Sequence, residues 1–132
     1  MGLNCSHGAF DGAYSAFNRF RQIVMKAAGG SWPPHEDKSL SNSKFYWGEG
    51  YCEESHPGLA IFFSQSDCDG EISPGDCLLV VNDLEQLLDK IKDLDTESWG
   101  HIEKQGGFYA VTKRFIDGCK RAHGLNEPLL FL

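Results

Sequence analysis

The sequence predicts one small α/β domain over residues 1–132, with an α+β arrangement as the alternative. Its 132 residues are the usual length of a single domain. Three stretches repeat apolar residues at helical spacing, and three short apolar runs suit buried strands. Their order along the chain is β-α-β-α-α-β, which indicates about three strands with three helices packed on the sheet.

The first predicted strand and helix lie at the start of the chain. Residues 2–6, GLNCS, suit a short strand, and a helix is expected over 13–28. Within that helix Phe17, Phe20 and Val24 recur on one side. This amphipathic pattern predicts a helix that covers the sheet.

The second half supplies the other elements. The run LAIFF at 59–63 is continuously apolar and bounded by turn residues, which favours a central strand covered on both faces. Ser73 and Pro74 indicate the start of a helix over 74–94, because Ser is a good N-cap and Pro suits the first helical position. A third helix is predicted over 106–123, and the terminal run PLLFL is predicted to be the last strand.

The expected connection between the first two strands predicts a site. If these strands are parallel, their crossover is right-handed and both carboxyl ends fall on one edge of the sheet. Ligands of open α/β sheets bind outside such ends. The loops at that edge would be Ser6-His7-Gly8 and the segment from Ser64 to Asp69.

The first of these loops leads into SHGAFDGAYSAFNRFR, which is rich in polar side chains. His7 can act as a base or a ligand, and backbone N–H groups around Gly8 at a helix start can hold an anion. Asp11, Tyr14 and Arg19 complete this candidate set. No phosphate-loop motif is present, and the alternative is a hydrogen-bonded, structural His7.

The stretch SQSDCDGEISPGDC at 64–77 places Asp67, Asp69 and Glu71 around one glycine. Alternate carboxylates in a tight turn can converge on a hard cation, so a Ca²⁺ or Mg²⁺ site is predicted there. It is not an EF-hand, since Gln65 stands at the position of the first acidic ligand. The alternative is a turn whose acids favour the N-terminus of the next helix.

The irregular segment at about 30–58 is rich in aromatic residues. A loop of this length in a small domain is usually functional or mobile. Its rings either cap one end of the core or form a lid that stacks on a ligand, and Trp47 is the candidate ligand contact. The aromatic residues are Trp32, Phe45, Tyr46, Trp47 and Tyr51.

Charge and hydropathy limit the classes of partner. The net charge of −7 argues against generic nucleic-acid binding, which needs a clustered basic surface. Lys113, Arg114, Lys120 and Arg121 form two i, i+7 pairs, which either make a solvated face or meet an anionic ligand. The apolar runs are too short to span a bilayer and no signal-peptide pattern is present, so we expect a cytoplasmic protein with free thiols and no membrane partner.

Zinc is the alternative metal. Cys5 and His7 point the same way on a strand, and Cys119 and His123 share a helix face at i, i+4 spacing. Such ligands suit Zn²⁺, but no CxxC is present and Cys119 falls on the apolar face of its helix.

Three blocks, SHGAFDGAYSAFNRFR, SDCDGEI and KRFIDGCKRAHGLNEPLLFL, resemble a group of small uncharacterised proteins from bacterial and phage genomes. That group shares a start like CSHxAxxGAYSAFxRxR, a block like HSDCDGEI, and a tail in which FIDG precedes EPLxF. Where the group has histidine before the central block, this chain has Ser64 and Gln65. The resemblance implies a common fold unit and the two loops, and it implies no activity.

Three functional hypotheses follow, and whether the protein is an enzyme or a homodimer stays open. The first is a binding protein for a small polar or nucleotide-like ligand, with the aromatic segment as a lid; in a phage setting it would be a host-defence antagonist. The second is a hydrolase with His7 as base and a metal on the acidic loop. The third is a module that docks an acidic helix, Asp83 to Glu97, on a basic host protein. The candidate ligand contacts are His7, Asp11, Tyr14, Arg19, Trp47, Asp67 and Asp69, and the candidate metal ligands are Asp67, Asp69 and Glu71.

Overall fold

The described part of the chain contains four α-helices and four short strands. The computed structural model describes residues 2–33, 35, 37–41, 43–65, 70–94 and 107–131. The helices are α1 (Tyr14–Ala27), α2 (Pro57–Ser64), α3 (Pro74–Asp93) and α4 (Gly107–Gly124). The strands are β1 (Gly2–Asn4), β2 (Asp11–Ala13), β3 (Glu71–Ile72) and β4 (Leu129–Leu130), with a 3₁₀ turn at Ser6–Gly8. The predicted mixed α/β class is confirmed, with one more helix than the sequence indicated.

The two N-terminal strands form a hairpin. β1 pairs with β2 in antiparallel register, with Gly2 opposite Ala13 and Asn4 opposite Asp11. The Ser6–Gly8 turn reverses the chain between them. The predicted parallel crossover is therefore wrong, because β1 finds its partner a few residues further on, where a tight turn suffices.

The C-terminal strand joins this hairpin to the residues before α3. β3 pairs with β4 in antiparallel register, with Glu71 opposite Leu130. An antiparallel bridge between Cys5 and Phe131 links the continuation of β4 to the continuation of β1. The two ends of the chain and the residues after the acidic loop thus meet in one small antiparallel layer. The predicted final strand is confirmed.

The run LAIFF is helical, so its predicted strand is wrong. It lies in α2, where Pro57 occupies the first turn and Leu59, Phe62 and Phe63 are buried at helical spacing. A short, continuously apolar run has no periodicity, so the sequence does not distinguish a buried strand from a buried helix. Helices α1, α3 and α4 agree closely with their predicted ranges. No helix in the described part of the chain is long and apolar enough to cross a membrane.

Phenylalanine rings fill the core around Phe17 of α1. The centroid of its ring lies 5.0 Å from that of Phe10, 5.5 Å from Phe131 and 6.1 Å from Phe62, in edge-to-face arrangements. All four side chains are buried. Edge-to-face pairs contribute about 0.5–1.5 kcal/mol each beyond the area they bury. The core therefore ties the N-terminal turn and the C-terminal strand to α1 and α2.

Helix α2 packs closely on α3 through a glycine and a buried carboxylate. Asp83 of α3 is 6% exposed, and its Oδ2 accepts a 3.1 Å hydrogen bond from the N–H of Leu59 in α2. A carboxylate suits this helix start, where N–H groups lack partners within the helix. A Cβ on Gly58 would collide with the carbonyl oxygen of Leu79. Asp83 is thus not on the exposed acidic face to which the third hypothesis assigned it.

Gly58→Ala is expected to lower the free energy of unfolding by about 1–3 kcal/mol, because the added methyl group overpacks the contact with α3. Gly75→Ala is the matched control, since a Cβ there meets nothing within 4 Å. Urea titrations followed by circular dichroism measure both variants. Equal unfolding midpoints would contradict the close approach of the two helices.

Candidate functional site

The Ser6–Gly8 turn has an unusual backbone. His7 and Gly8 both have positive φ, at 60° and 71°. The left-handed region is uncommon for residues other than glycine, although histidine is among those enriched there. The N–H of Cys5 donates to the carbonyl of Phe10 over 2.8 Å, which closes the turn. The chain therefore holds His7 at a tight corner beside β1.

Both nitrogens of the His7 ring are hydrogen-bonded. Nδ1 lies 2.9 Å from Ser6 Oγ, and Nε2 lies 2.9 Å from Glu127 Oε1. Ser6 Oγ also accepts a 2.8 Å bond from the N–H of Leu130, so its own proton can point at Nδ1. In that arrangement Nε2 carries the ring proton and donates to Glu127. The His7 side chain is only 14% exposed, whereas that of Glu127 is 56% exposed.

Two arginines of α4 hold the carbonyl groups of the same turn. Arg121 donates from Nε to the His7 carbonyl over 2.9 Å, and its Nη2 donates to the same oxygen. Arg114 donates from Nε to the Gly8 carbonyl over 2.8 Å. Arg114 and Arg121 form one of the two i, i+7 pairs of basic residues. Because they lie two helical turns apart on the same face of α4, they reach the neighbouring carbonyl groups of Gly8 and His7. Each guanidinium has five N–H donors, more than these bonds use.

The acidic loop is described only at its base, and Asp67 and Asp69 lie outside the described residues. Gln65 connects the two sides of this base, because its Oε1 accepts a 3.0 Å bond from the N–H of Glu71. Its Nε2 donates to the carbonyl of Ile61 in α2 over 3.2 Å. Glu71 is exposed in β3. The loop therefore begins and ends at a fixed, hydrogen-bonded point.

The N-terminal turn and the end of the acidic loop flank the same residue. Phe131 bridges to Cys5 on one side, and its N–H donates to the Gly70 carbonyl over 2.9 Å on the other. The two predicted loops are thus brought to one layer at Cys5 and Gly70. Antiparallel pairing through the C-terminal strand brings them together, and not the parallel crossover that was predicted from the sequence.

Arg21 of α1 is buried beside the start of the acidic loop. It is 4% exposed, and its Nη2 donates to the Gln65 carbonyl over 2.7 Å. The centre of its guanidinium lies 4.5 Å from the ring centroid of Phe17, 5.3 Å from Trp32 and 5.9 Å from Phe62. Cation–π attraction offsets part of the cost of burying this charge. Arg21 was not predicted as a site residue, although its position four residues after Phe17, on the apolar face of the helix, is a signal for it in the sequence.

Cys5 is buried between basic groups. Burial raises the pKa of its thiol to about 12, while the charges of Arg21 and Arg114 act in the opposite direction. The thiol is therefore protonated at neutral pH. Among the described residues, no group of three or more His, Cys, Asp or Glu side chains is placed to hold a metal ion. His123 was another predicted zinc ligand, and its Nδ1 lies 2.9 Å from the carbonyl oxygen of Pro74.

The other predicted contacts lie in different surroundings. Asp11 is exposed in β2, and Tyr14 is half-buried against the core at the start of α1. Arg19 donates from Nη1 to Gln22 Oε1 over 3.1 Å. The ring centroid of Trp47 lies 5.6 Å from that of Phe45 and 6.0 Å from that of Phe63, and this packing favours the interpretation in which the aromatic segment caps the core.

Comparison with known proteins shows a similarity to part of a tRNA ligase. The arginine–tRNA ligase of Psychromonas ingrahamii is 27% identical over 129 residues, which cover 93% of this chain and 18% of the ligase. The chain therefore spans about a fifth of the length of that relative. No protein-family model and no solved structure matches the chain.

Gly8→Ala is expected to lower the free energy of unfolding by about 1–2 kcal/mol, the cost of a left-handed backbone for a residue with a Cβ. Gly8→Ala should lower the free energy of unfolding more than Gly50→Ala does. Gly50 has a similar φ of 85°, but a Cβ added there meets nothing within 4 Å. At Gly8 the Cβ would lie 3.3 Å from Arg121 Nη2. Urea titration compares the two variants, and an equal loss in both would show that the arginine is not packed on the turn.

Proposed function

We propose that the protein binds a small polar ligand with an anionic group, such as a nucleotide, at the Ser6–Gly8 turn. The observation that carries this proposal is the convergence of Arg114 and Arg121 on the adjacent carbonyls of His7 and Gly8. The guanidinium fork matches phosphate and carboxylate oxygens, and both arginines are exposed on α4. A ligand anion would therefore meet donors that are already oriented.

Side chains from several elements hold the turn in place, which supports this function. Ser6, Glu127 and the two arginines all contact the turn or its histidine. Binding then loses little conformational entropy in the protein, which is the usual advantage of a preorganised site. The left-handed His7 agrees with this interpretation, because strained residues are retained where the surrounding structure determines them.

The charges around the turn suit a ligand with mixed chemistry. Arg114 and Arg121 supply positive charge in a chain whose net charge is −7. Glu127 supplies a carboxylate that can accept hydrogen bonds from ligand hydroxyl groups, as acidic residues do with ribose in dinucleotide sites. A phosphate beside the arginines and a sugar beside Glu127 would use both features. Sequestration of a signal nucleotide, the host-defence hypothesis, is one use of such a site.

A divalent cation is a separate part of the proposal. Its ligands would come from Asp67, Asp69 and Glu71, of which Glu71 lies at the described base of the loop. Hydrolysis with His7 as base is less well supported, because both of its ring nitrogens already have partners. We therefore propose binding rather than catalysis.

Arg114→Gln and Arg121→Gln are expected to weaken the binding of AMP or inorganic phosphate by about tenfold or more, since a hydrogen bond to a charged group is worth about 1.5–3 kcal/mol. The matched controls are Lys113→Gln and Lys120→Gln, which remove the same charge from the residue preceding each arginine. Isothermal titration calorimetry measures all four variants, with near-UV circular dichroism to confirm folding. Equal effects in the arginine and lysine variants, or no binding of either probe by the wild type, would contradict the proposal.

An RNA-binding module is the second candidate function. The similarity to part of a tRNA ligase favours it, since that relative acts on tRNA and this chain matches 18% of its length. The structure contributes Tyr109 of α4, whose ring has Lys92 Nζ and Lys113 Nζ each 5.7 Å from its centroid. Lysines beside an aromatic ring suit a nucleic-acid strand, whose phosphates they neutralise and whose bases stack on the ring.

Lys92→Gln combined with Lys113→Gln is expected to weaken binding of a fluorescent single-stranded RNA and to flatten its salt dependence. Loss of two phosphate contacts reduces the slope of log K against log salt by about 1.4. Lys38→Gln, an exposed lysine of the irregular segment, is the control. Fluorescence anisotropy at several salt concentrations gives the slopes, and an unchanged slope in the double variant would exclude this surface as the RNA contact.

A further inference from the structure

A second polar cluster lies in the turn before α2, where Cys52, Ser55 and His56 contact one another. Cys52 Sγ and Ser55 Oγ are 3.4 Å apart, and Ser55 Oγ lies 2.8 Å from His56 Nδ1. The N–H of Ser55 donates to Cys52 Sγ over 3.4 Å. Nothing in the proposed function uses these residues. A thiol, a hydroxyl and an imidazole in sequence form a path along which a proton can leave the sulfur.

The contacts of Cys52 stabilise its thiolate. The hydrogen bond with the Ser55 hydroxyl is the largest cause that lowers the pKa of Cys52, followed by the N–H groups of Ser55 and Glu54. Desolvation and then the charge of Glu54 act in the opposite direction and are outweighed. Since the thiolate is the nucleophilic form of cysteine, these contacts raise the reactive fraction at neutral pH.

Accessibility separates Cys52 from the other described cysteines. Cys52 is exposed, whereas Cys5, Cys77 and Cys119 are buried. Burial raises the pKa of Cys5 to about 12, and a hydrogen bond with Cys77 together with burial raises the pKa of Cys119. In the described part of the chain, a dissolved reagent therefore meets the thiol of Cys52 first.

The imidazole at the end of this path is held in place. The ring centroids of Tyr51 and His56 are 4.5 Å apart, and Lys90 Nζ of α3 lies 3.3 Å from the Tyr51 hydroxyl oxygen. The N–H of His56 also donates to the Cys52 carbonyl over 2.9 Å. The cluster is thus fixed against α3, and His56 is oriented to share a proton with Ser55.

We propose that Cys52 is a nucleophilic thiol that exchanges with low-mass disulfides and becomes S-thiolated. The Cys52 thiolate attacks one sulfur of a disulfide R–S–S–R, so that a Cys52–S–S–R bond forms and the R–S–S–R bond breaks. The thiol proton passes through Ser55 Oγ to His56 Nδ1, and the leaving R–S⁻ takes up one proton. The disulfide is the oxidant, and the sum is protein–SH plus R–S–S–R giving protein–S–S–R plus R–SH.

The charged residues beside the Cys52 thiol favour cationic disulfides over anionic ones. Glu53 and Glu54 follow Cys52 directly and are exposed. Their carboxylates repel an anionic reagent and attract a cationic one, and the effect is screened by salt. Cystamine, a dication, should therefore react faster with Cys52 than the dianion 5,5′-dithiobis(2-nitrobenzoate), relative to their rates with N-acetylcysteine amide.

The test follows the rate of adduct formation with cystamine by intact-mass spectrometry from pH 5 to 10, with peptide mapping to assign the site. The lowered pKa of Cys52 should make its reaction at pH 7 faster than that of N-acetylcysteine amide, because the larger fraction of thiolate outweighs its weaker nucleophilicity. Ser55→Ala should slow the reaction at pH 7 and move the midpoint of the pH–rate profile upward. Ser55→Thr keeps the hydroxyl and should restore both the rate at pH 7 and the midpoint of the pH–rate profile. Cys52→Ser should abolish the fast phase of adduct formation with cystamine.

Cys68→Ser is the matched control, because it removes a cysteine distant in sequence from Ser55 and His56, and it is expected to leave the fast phase unchanged. Far-UV circular dichroism confirms that each variant is folded. A fast adduct that maps to Cys68, or a pH midpoint that is the same in wild type and Ser55→Ala, would overturn the proposal. The double variant Glu53→Gln, Glu54→Gln should lose the preference for cystamine over the dianionic disulfide while the midpoint of its pH–rate profile stays unchanged. That result would support the selection of cationic disulfides by the two carboxylates.

Discussion

Phe17 of α1 and Phe131 beyond β4 pack edge to face with their ring centroids 5.5 Å apart, and this contact anchors the strand that connects the N-terminal turn to the end of the acidic loop. The backbone of Phe131 bonds to Gly70 and bridges to Cys5. Burial of its ring therefore also fixes the start of the N-terminal turn and the end of the acidic loop. An apolar contact in the core thus determines which polar groups meet at the surface.

The buried guanidinium of Arg21, which packs on the ring of Phe17, has a comparable role. Burying a guanidinium has a large desolvation cost unless it is paired and hydrogen-bonded. Arg21 meets this requirement with aromatic ring faces and with the carbonyl of Gln65. Since Gln65 also bonds to Glu71, one buried cation connects α1 to both sides of the acidic loop. The same charge acts on Cys5, so the two candidate loops share an electrostatic environment.

The sequence predicted the elements that have a local signal. Periodicity and the Ser73-Pro74 start identified α1, α3 and α4, and the apolar tail identified the last strand. The helix α2 was missed because a run of apolar residues has no period. The hairpin was missed because the residues of β2 resemble the start of the following helix. In each case the missing information was which surface the segment would cover, and that depends on distant parts of the chain.

The candidate site was predictable to the same extent. His7 was identified by its residue type and its place after a strand, and the basic pairs of α4 were recognised without a location. Glu127 was not identified, because a carboxylate in a polar stretch carries no sign of its partner. For Trp47 the sequence left a cap on the core and a ligand contact both open, because it cannot distinguish rings that stack on one another from rings that stack on something else.

The partners of the N-terminal turn have a consequence for how the protein is made. Glu127 follows His7 by 120 residues, and Leu130 follows Ser6 by 124. Contacts between such distant residues close the largest loops and form slowly. On a ribosome, the turn would leave the exit tunnel long before the residues that hold it have been synthesised. The candidate site is therefore completed only after Glu127 and Leu130 have been synthesised and have folded back onto the turn.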